Sequence, residues 1–174
     1  MERETLLAAA REAARHAYAP YSHFRVGAAV VVETSDGPTV ATGANVENAS
    51  YGLTLCAERA ALAATCFVDE PEPTETPVVR RGMRRPRITH VAVACIDVEP
   101  EAPEAAHSPC GACRQWLAEL APDAVYYVDG IERDLRLEDL LPYAFRLEHP
   151  YPPSPEGTPG TRRRASGPAP GGSR

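Results

Sequence analysis

Residues 26–46, VGAAVVVETSDGPTVATGANV, decide the fold class of this chain. Residues 26–34 are small and apolar or β-branched along most of their length, which is typical of a buried strand. Asp36-Gly37 then gives a hairpin-turn signal, and residues 39–46 supply a returning strand. The stretch therefore predicts an antiparallel hairpin.

Further elements are predicted on both sides of this hairpin, and they alternate in type. Helices are predicted at residues 4–17, 56–68, 110–121 and 137–145, and further strands at 88–98, 125–129 and around Leu135. Pro142 is expected to disturb the last helix. The alternation favours an α/β fold of three layers, with helices on both faces of a mixed five-stranded sheet.

Length and composition predict one domain followed by a tail. The chain has 174 residues, 44% of them hydrophobic, which fits a single core over residues 1–150. Fourteen of the 24 residues in 151–174 are Pro, Gly or Ser, and this composition predicts a disordered tail. Residues 69–87 combine acidic residues, arginines and prolines, and they predict a solvated loop.

Charge and cysteine content narrow the classes of partner. The net charge of −6 is unfavourable for binding DNA or RNA, so we expect a small-molecule ligand and no nucleic acid. The sequence shows no stretch for spanning a membrane and no signal peptide, so we expect a cytoplasmic protein. Thiols stay reduced in that compartment, and the five cysteines therefore suggest metal binding or catalysis for some of them.

Two short motifs carry the chemistry, and each opens a predicted helix. They are Cys56-Ala57-Glu58 and the run Pro109–Cys113, which contains Cys110 and Cys113. Helix starts stabilise thiolates, and three thiolates would hold a zinc ion while leaving one tetrahedral position for water. Glu58, two residues after a ligand, could move protons to and from that water.

Other interpretations of these residues stay open at this point. Cys110 and Cys113 could form a redox pair, and Glu58 could act only as a partner of the helix dipole. Cys66 and Cys95 lie in apolar segments and are expected in the core. His107 precedes the second motif, within a predicted loop.

The two motifs together resemble the signature of zinc-dependent deaminases, in which Cys-x-Glu is followed by Pro-Cys-x-x-Cys. Four longer segments, residues 20–30, 43–61, 108–115 and 140–145, resemble the small homotetrameric cytidine deaminases of the three-cysteine type. The resemblance implies one zinc ion per chain and hydrolysis of cytidine, and of deoxycytidine, to the uracil nucleoside and ammonia. It also implies a homotetramer whose active sites are shared between subunits.

The resemblance assigns further residues to the site. Asn45 and Glu47 would bind the ribose hydroxyls, Phe24 would contact the pyrimidine ring, and the N–H of Ala57 would bind the base carbonyl. Tyr51 and Phe145 would act across a subunit boundary. Arg59 would offset the charge of the thiolates. The competing interpretations are turn residues for the sugar pair, core aromatic residues for Phe24 and Phe145, and a solvent-exposed arginine.

Two rival functions remain open. A related deaminase could act on another small nucleoside or analogue such as blasticidin S, and Gly52 and Thr54 depart from the pattern of many relatives. A zinc module without catalysis would need a fourth protein ligand and no Glu58.

Overall fold

The computed structural model describes residues 1–68 and 85–146, which form a five-stranded sheet flanked by helices. The strands are β1 (Val26–Thr34), β2 (Gly37–Ala44), β3 (Ile88–Cys95), β4 (Val125–Val128) and β5 (Ile131–Leu135), arranged in the order β2-β1-β3-β4-β5. Only the β3–β4 pair is parallel, and the other three pairs are antiparallel. The predicted mixed sheet is confirmed.

The hairpin agrees with its prediction, although its second strand starts earlier. β1 has the predicted bounds, whereas β2 begins at Gly37 and not at residue 39. Thr34 pairs with Gly37, so the turn is tight. Gly37 has a φ of +107°, which glycine adopts without steric cost.

The helices cover both faces of the sheet, which confirms three layers. They are α1 (Arg3–Ala14), α2 (Ala57–Thr65), α3 (Glu104–His107), α4 (Gly111–Leu120) and α5 (Leu137–Leu140). Helix α1 buries Leu6, Leu7 and Ala10 with Val31 and Ala92 on one face. Helices α2, α4 and α5 bury Leu62, Leu117 and Leu140 on the other face, with Val30 and Val91.

Helix ends and one loop differ from the predictions. Helix α1 stops at Ala14 and α2 at Thr65, three residues short of the predicted ends at residues 17 and 68. Helix α3 lies where a loop was predicted. The tail 151–174 and residues 69–84 of the predicted loop lie outside the described residues, and no described helix is long and apolar enough to cross a membrane.

Candidate metal centre and active site

Three cysteine sulfurs converge where α2 and α4 begin. Cys56 is the residue immediately before α2, Cys110 is the residue immediately before α4, and Cys113 lies in the first turn of α4. The Sγ of Cys110 lies 4.0 Å from that of Cys56 and 3.5 Å from that of Cys113. All three sulfurs lie within 4.8 Å of one another. The predicted ligand residues are therefore brought together.

This geometry fits a tetrahedral zinc ion. Zinc–sulfur bonds of about 2.3 Å at tetrahedral angles place the sulfurs about 3.8 Å apart, and the distances of 3.5 and 4.0 Å bracket that value. Within residues 1–68 and 85–146, no fourth His, Cys, Asp or Glu joins the group. Three protein ligands leave one position open, which is typical of catalytic zinc sites and not of structural ones.

The pKa values of two of the three cysteines are shifted in opposite directions. A hydrogen bond from Cys113, together with Arg59, lowers the pKa of Cys56 to about 5. The same interaction with Cys56, and burial, raise the pKa of Cys113 in the metal-free chain. A bound metal ion would need all three cysteines deprotonated, so zinc binding would release protons.

Glu58 is buried beside the metal group. It is the second residue of α2, and only 3% of its surface is exposed. Burial is the largest cause that raises the pKa of its carboxyl group, while its backbone N–H and the neighbouring Cys113 and Arg59 act in the opposite direction. A carboxyl group whose pKa is raised by burial is suited to accepting a proton and returning it.

The side chain of Arg59 contacts one of the three cysteine sulfurs. Its Nη2 lies 3.5 Å from the Cys56 sulfur and donates to the carbonyl oxygen of Thr54 at 2.8 Å. In the described part of the chain, its buried Nε has no hydrogen-bond partner. The interpretation of Arg59 as a free surface arginine is wrong, because its side chain is engaged at the metal group.

Asn45 and Glu47 follow β2 and lie on one side of the chain, each with 8% of its surface exposed. Asn45 accepts from the N–H of Val26 at 2.8 Å and donates to the carbonyl of Phe24 at 2.9 Å. Glu47 accepts from the N–H of Tyr21 at 2.9 Å. Both side chains therefore shape the loop before β1.

Sequence reasoning missed Ser22 in this loop. Its N–H donates to Glu47 Oε2 at 3.2 Å, its hydroxyl donates to Glu47 Oε1, and the same hydroxyl accepts from the N–H of Phe24 at 3.0 Å. The sequence around Ser22 shows only one polar residue in an aromatic run. Its contact with Glu47 could not be predicted from this, because the two residues are 25 positions apart.

The predicted substrate-facing aromatic residues are all accessible. Phe24 is 38% exposed, Tyr51 69% and Phe145 66%, so the interpretation of Phe24 and Phe145 as core residues is wrong. The Tyr51 ring lies 6.4 Å from that of Tyr21, and the carbonyl of Phe145 accepts from Gln115 at 2.8 Å. Ala57 is fully buried as the first residue of α2, where its N–H has no intrahelical acceptor.

The remaining cysteines and His107 lie outside the metal group. Cys95 is buried as predicted, whereas Cys66 is exposed at the end of α2 and the prediction that it belongs to the core is wrong. His107 is buried at the end of α3, with its ring against Gly130. It is neither in a loop nor among the three metal-binding residues.

An α/β/α fold with an open three-cysteine group at two helix starts defines a zinc-binding deaminase. Residues 1–129 match the family model described as the cytidine and deoxycytidylate deaminase zinc-binding region, and the chain belongs to this family. The predicted resemblance, the fold and the zinc-binding group are thus confirmed.

Relatives extend this similarity over nearly the whole domain. A cytidine deaminase from Halalkalibacterium halodurans is 40% identical over 153 residues, covering 85% of this chain and 97% of that protein. One from Mycobacterium tuberculosis is 42% identical over 139 residues, covering 80% and 86%. The solved cytidine deaminase of Burkholderia pseudomallei, at 40% identity, matches with a TM-score of 0.61 and covers 83% of this chain and all of that one.

Proposed function

We propose that this chain is a zinc-dependent cytidine deaminase that converts cytidine and deoxycytidine, with water, to uridine or deoxyuridine and ammonia, in pyrimidine salvage. The observation that carries this proposal is the open group of three cysteines with buried Glu58 beside it. A non-catalytic zinc module would need a closed set of ligands and would give Glu58 no role.

In the proposed mechanism Glu58 is the residue that moves protons. A bound zinc ion supplies Lewis acidity, which makes water nucleophilic near neutral pH. Glu58 takes the proton that water releases and passes it to N3 of the pyrimidine. The water oxygen adds to C4 of the same ring. Glu58 then takes the proton of the new C4 hydroxyl and gives it to the amino group, so that the C4 carbonyl forms, ammonia leaves and the carboxylate is restored.

The substrate is proposed to lie between the loop before β1 and the start of α2. Phe24 would contact the pyrimidine face, and the free N–H of Ala57 would donate to the base carbonyl. Asn45 and Glu47 would bind the ribose hydroxyls, which amide and carboxylate groups can do as donor and acceptor. Burial of both polar side chains, with Asn45 donating to the carbonyl of Phe24, supports this arrangement.

We further propose a homotetramer in which each active site is completed by a neighbouring subunit. Tyr51 and Phe145 expose more than half of their surfaces, as residues that act on a partner must. Phe145 would stack on the base held by that neighbour.

The catalytic unit would be residues 1–150, acting in the cytoplasm without nucleic acid or membrane partners, and residues 151–174 would be a tail outside it. None of the five cysteines, all of which lie in the described residues, forms a disulfide, and this fits a reducing compartment.

Purification with zinc analysis, followed by absorbance assays, tests this function. We expect one zinc per chain and turnover of cytidine and deoxycytidine, with blasticidin S as the comparison substrate. A zinc-loaded protein that leaves both nucleosides unchanged would contradict the proposal. Preferential turnover of blasticidin S would reassign the substrate but keep the chemistry.

A further inference from the structure

The loop at residues 21–24 connects the two parts of the proposed nucleoside site. His23 has a φ of 57°, in the left-handed region, so the loop turns sharply just before Phe24. The N–H of His23 donates to the carbonyl of Ala19 at 3.1 Å, which closes the turn. The position of Phe24 therefore depends on what holds this turn.

Ser22 links Phe24 to Glu47 through one hydroxyl group. The hydroxyl accepts from the N–H of Phe24 at 3.0 Å and donates to Oε1 of Glu47. On the other side of Phe24, its carbonyl accepts from Asn45 at 2.9 Å. The backbone of Phe24 is thus held at its carbonyl by Asn45 and at its N–H by Ser22, which in turn binds Glu47.

The contacts also fix the carboxylate of Glu47. Its Oε2 accepts two backbone N–H groups, from Tyr21 at 2.9 Å and Ser22 at 3.2 Å, and its Oε1 accepts the Ser22 hydroxyl. A carboxylate offers about four acceptor positions. Three are occupied by the loop, and among the described contacts one position on Oε1 has no donor.

We infer that Ser22 is a positioning residue that orients Glu47 toward a sugar hydroxyl and thereby sets discrimination for the nucleoside sugar. This inference rests on the proposed function. Loss of the hydroxyl frees Oε1 from its only protein donor in the described contacts and removes the tie to Phe24. The backbone donors to Oε2 remain, so the loop keeps its anchor. In agreement with this geometry, the hydrogen bond from Ser22 is the main cause that lowers the pKa of Glu47.

The test compares Ser22→Ala with Ser22→Thr, which retains the hydroxyl at an exposed position. We expect Ser22→Ala to lower kcat/KM for cytidine about tenfold, mainly through KM, as loss of a hydrogen bond to a charged group predicts. The loss for 2′,3′-dideoxycytidine should be several times smaller, because that sugar lacks the hydroxyls that Glu47 would bind. Ser22→Thr should restore discrimination to near the parent value.

Two further measurements isolate the route through Glu47. In a Glu47→Ala background, Ser22→Ala should lower kcat/KM for cytidine clearly less than it does in the parent chain, since coupled residues are not additive, and the remaining loss reports the tie to Phe24. Carbon-detected NMR on the full chain should show the pKa of Glu47 raised by Ser22→Ala and unchanged by Ser22→Thr.

The outcomes separate this inference from the proposed function. Equal losses for cytidine and dideoxycytidine, or an unchanged pKa of Glu47, would overturn the role of Ser22 while leaving a working deaminase. A zinc-loaded parent protein that turns over neither nucleoside would overturn the proposed function itself, and with it the role of Ser22 in sugar discrimination.

Discussion

The Nη2 atom of Arg59 lies 3.5 Å from the Sγ atom of Cys56, three residues earlier in the chain. Three thiolates around a zinc ion carry a formal charge of −1, which weakens the pull of the ion on water. A guanidinium that donates toward one sulfur draws back part of that charge. The same Nη2 also donates to the carbonyl of Thr54, so the chain leading into Cys56 is held with it.

Replacement of Arg59 by alanine is therefore expected to impair both metal binding and catalysis. Loss of such a supporting contact lowers metal affinity or activity by about 10- to 100-fold. Chelator competition for zinc and kcat/KM for cytidine measure the two effects, with Arg15→Ala, an exposed arginine immediately after α1, as the control. Parent-like values for Arg59→Ala would show that the thiolates need no balancing charge.

Glu58→Gln separates proton transfer from metal binding. The carboxamide keeps the shape of the buried side chain but cannot shuttle a proton, so kcat should fall by about 10²- to 10⁴-fold. Zinc content should stay at the parent level, because Glu58 is not one of the three ligand residues. Metal analysis and a single-turnover assay on the same sample check both points, and turnover at the parent rate would remove Glu58 from the mechanism.

Much of this arrangement could be predicted from sequence because its signals are local. The bounds of β1 and the two helix starts that carry the cysteines depend on patterns within about ten residues. Contacts between distant segments left no such signal, as the hydroxyl of Ser22 against Glu47 shows. Cys66 was placed in the core because its neighbours are apolar, yet α2 ends at Thr65 and turns it outward.

Glycines set how closely the ligand-bearing helix approaches the sheet. A methyl group on Gly43 would come within 2.5 Å of the N atom of Ala61 and 2.7 Å of the carbonyl oxygen of Ala57, both in the backbone of α2. Gly43→Ala should therefore lower the free energy of unfolding by about 1–3 kcal/mol. It should also weaken zinc binding, because α2 carries the residues next to Cys56.

Gly27→Ala is the matched control on the opposite face of the sheet. There the added methyl would meet the carbonyl oxygen of Ala10 at 2.0 Å, in α1, which holds none of the three cysteines. Because this contact is closer than those at Gly43, we expect a loss of stability in urea at least as large, but parent-like zinc affinity for the folded fraction. Equal loss of zinc affinity in both variants would mean that global stability, and not the position of α2, controls the metal group.

The pair Arg11–Asp129 gives a pH dependence of stability. Two hydrogen bonds of 2.7 Å from Arg11 hold the pKa of Asp129 below its ordinary value. A lowered pKa in the folded state means that the pair stabilises fully above the unfolded pKa of about 3.9 and loses this effect as pH falls through the folded pKa. Asp129→Asn should cost about 0.5–1 kcal/mol at pH 7, and this difference should disappear toward pH 2.

Urea unfolding between pH 2 and pH 7 measures that difference. Glu104→Gln is the control, because Glu104 and its partner Arg133 expose 54% and 59% of their side chains, so solvent screens the pair. The pKa of Glu104 is also lowered by Arg133, yet its replacement should change stability little at any pH. An Asp129→Asn deficit that persists at the lowest pH would assign the loss to packing and not to charge.

Phe145 provides a direct test of sites shared between subunits. Phe145 is 66% exposed while its carbonyl is held by Gln115 on α4, so its backbone is anchored and the residue is accessible to a neighbouring subunit. Phe145→Ala should raise KM for cytidine about tenfold through loss of stacking, with zinc content unchanged.

Mixed oligomers of this variant with Glu58→Gln then distinguish a Phe145 that acts in its own site from one that acts in the site of a neighbouring subunit. A site that takes Glu58 from the Phe145→Ala chain and Phe145 from its Glu58→Gln neighbour is complete only if Phe145 acts across the boundary. Subunit exchange should therefore restore a parent-like KM to a fraction of the sites, whereas a raised KM in every mixture would place Phe145 in the site of its own chain.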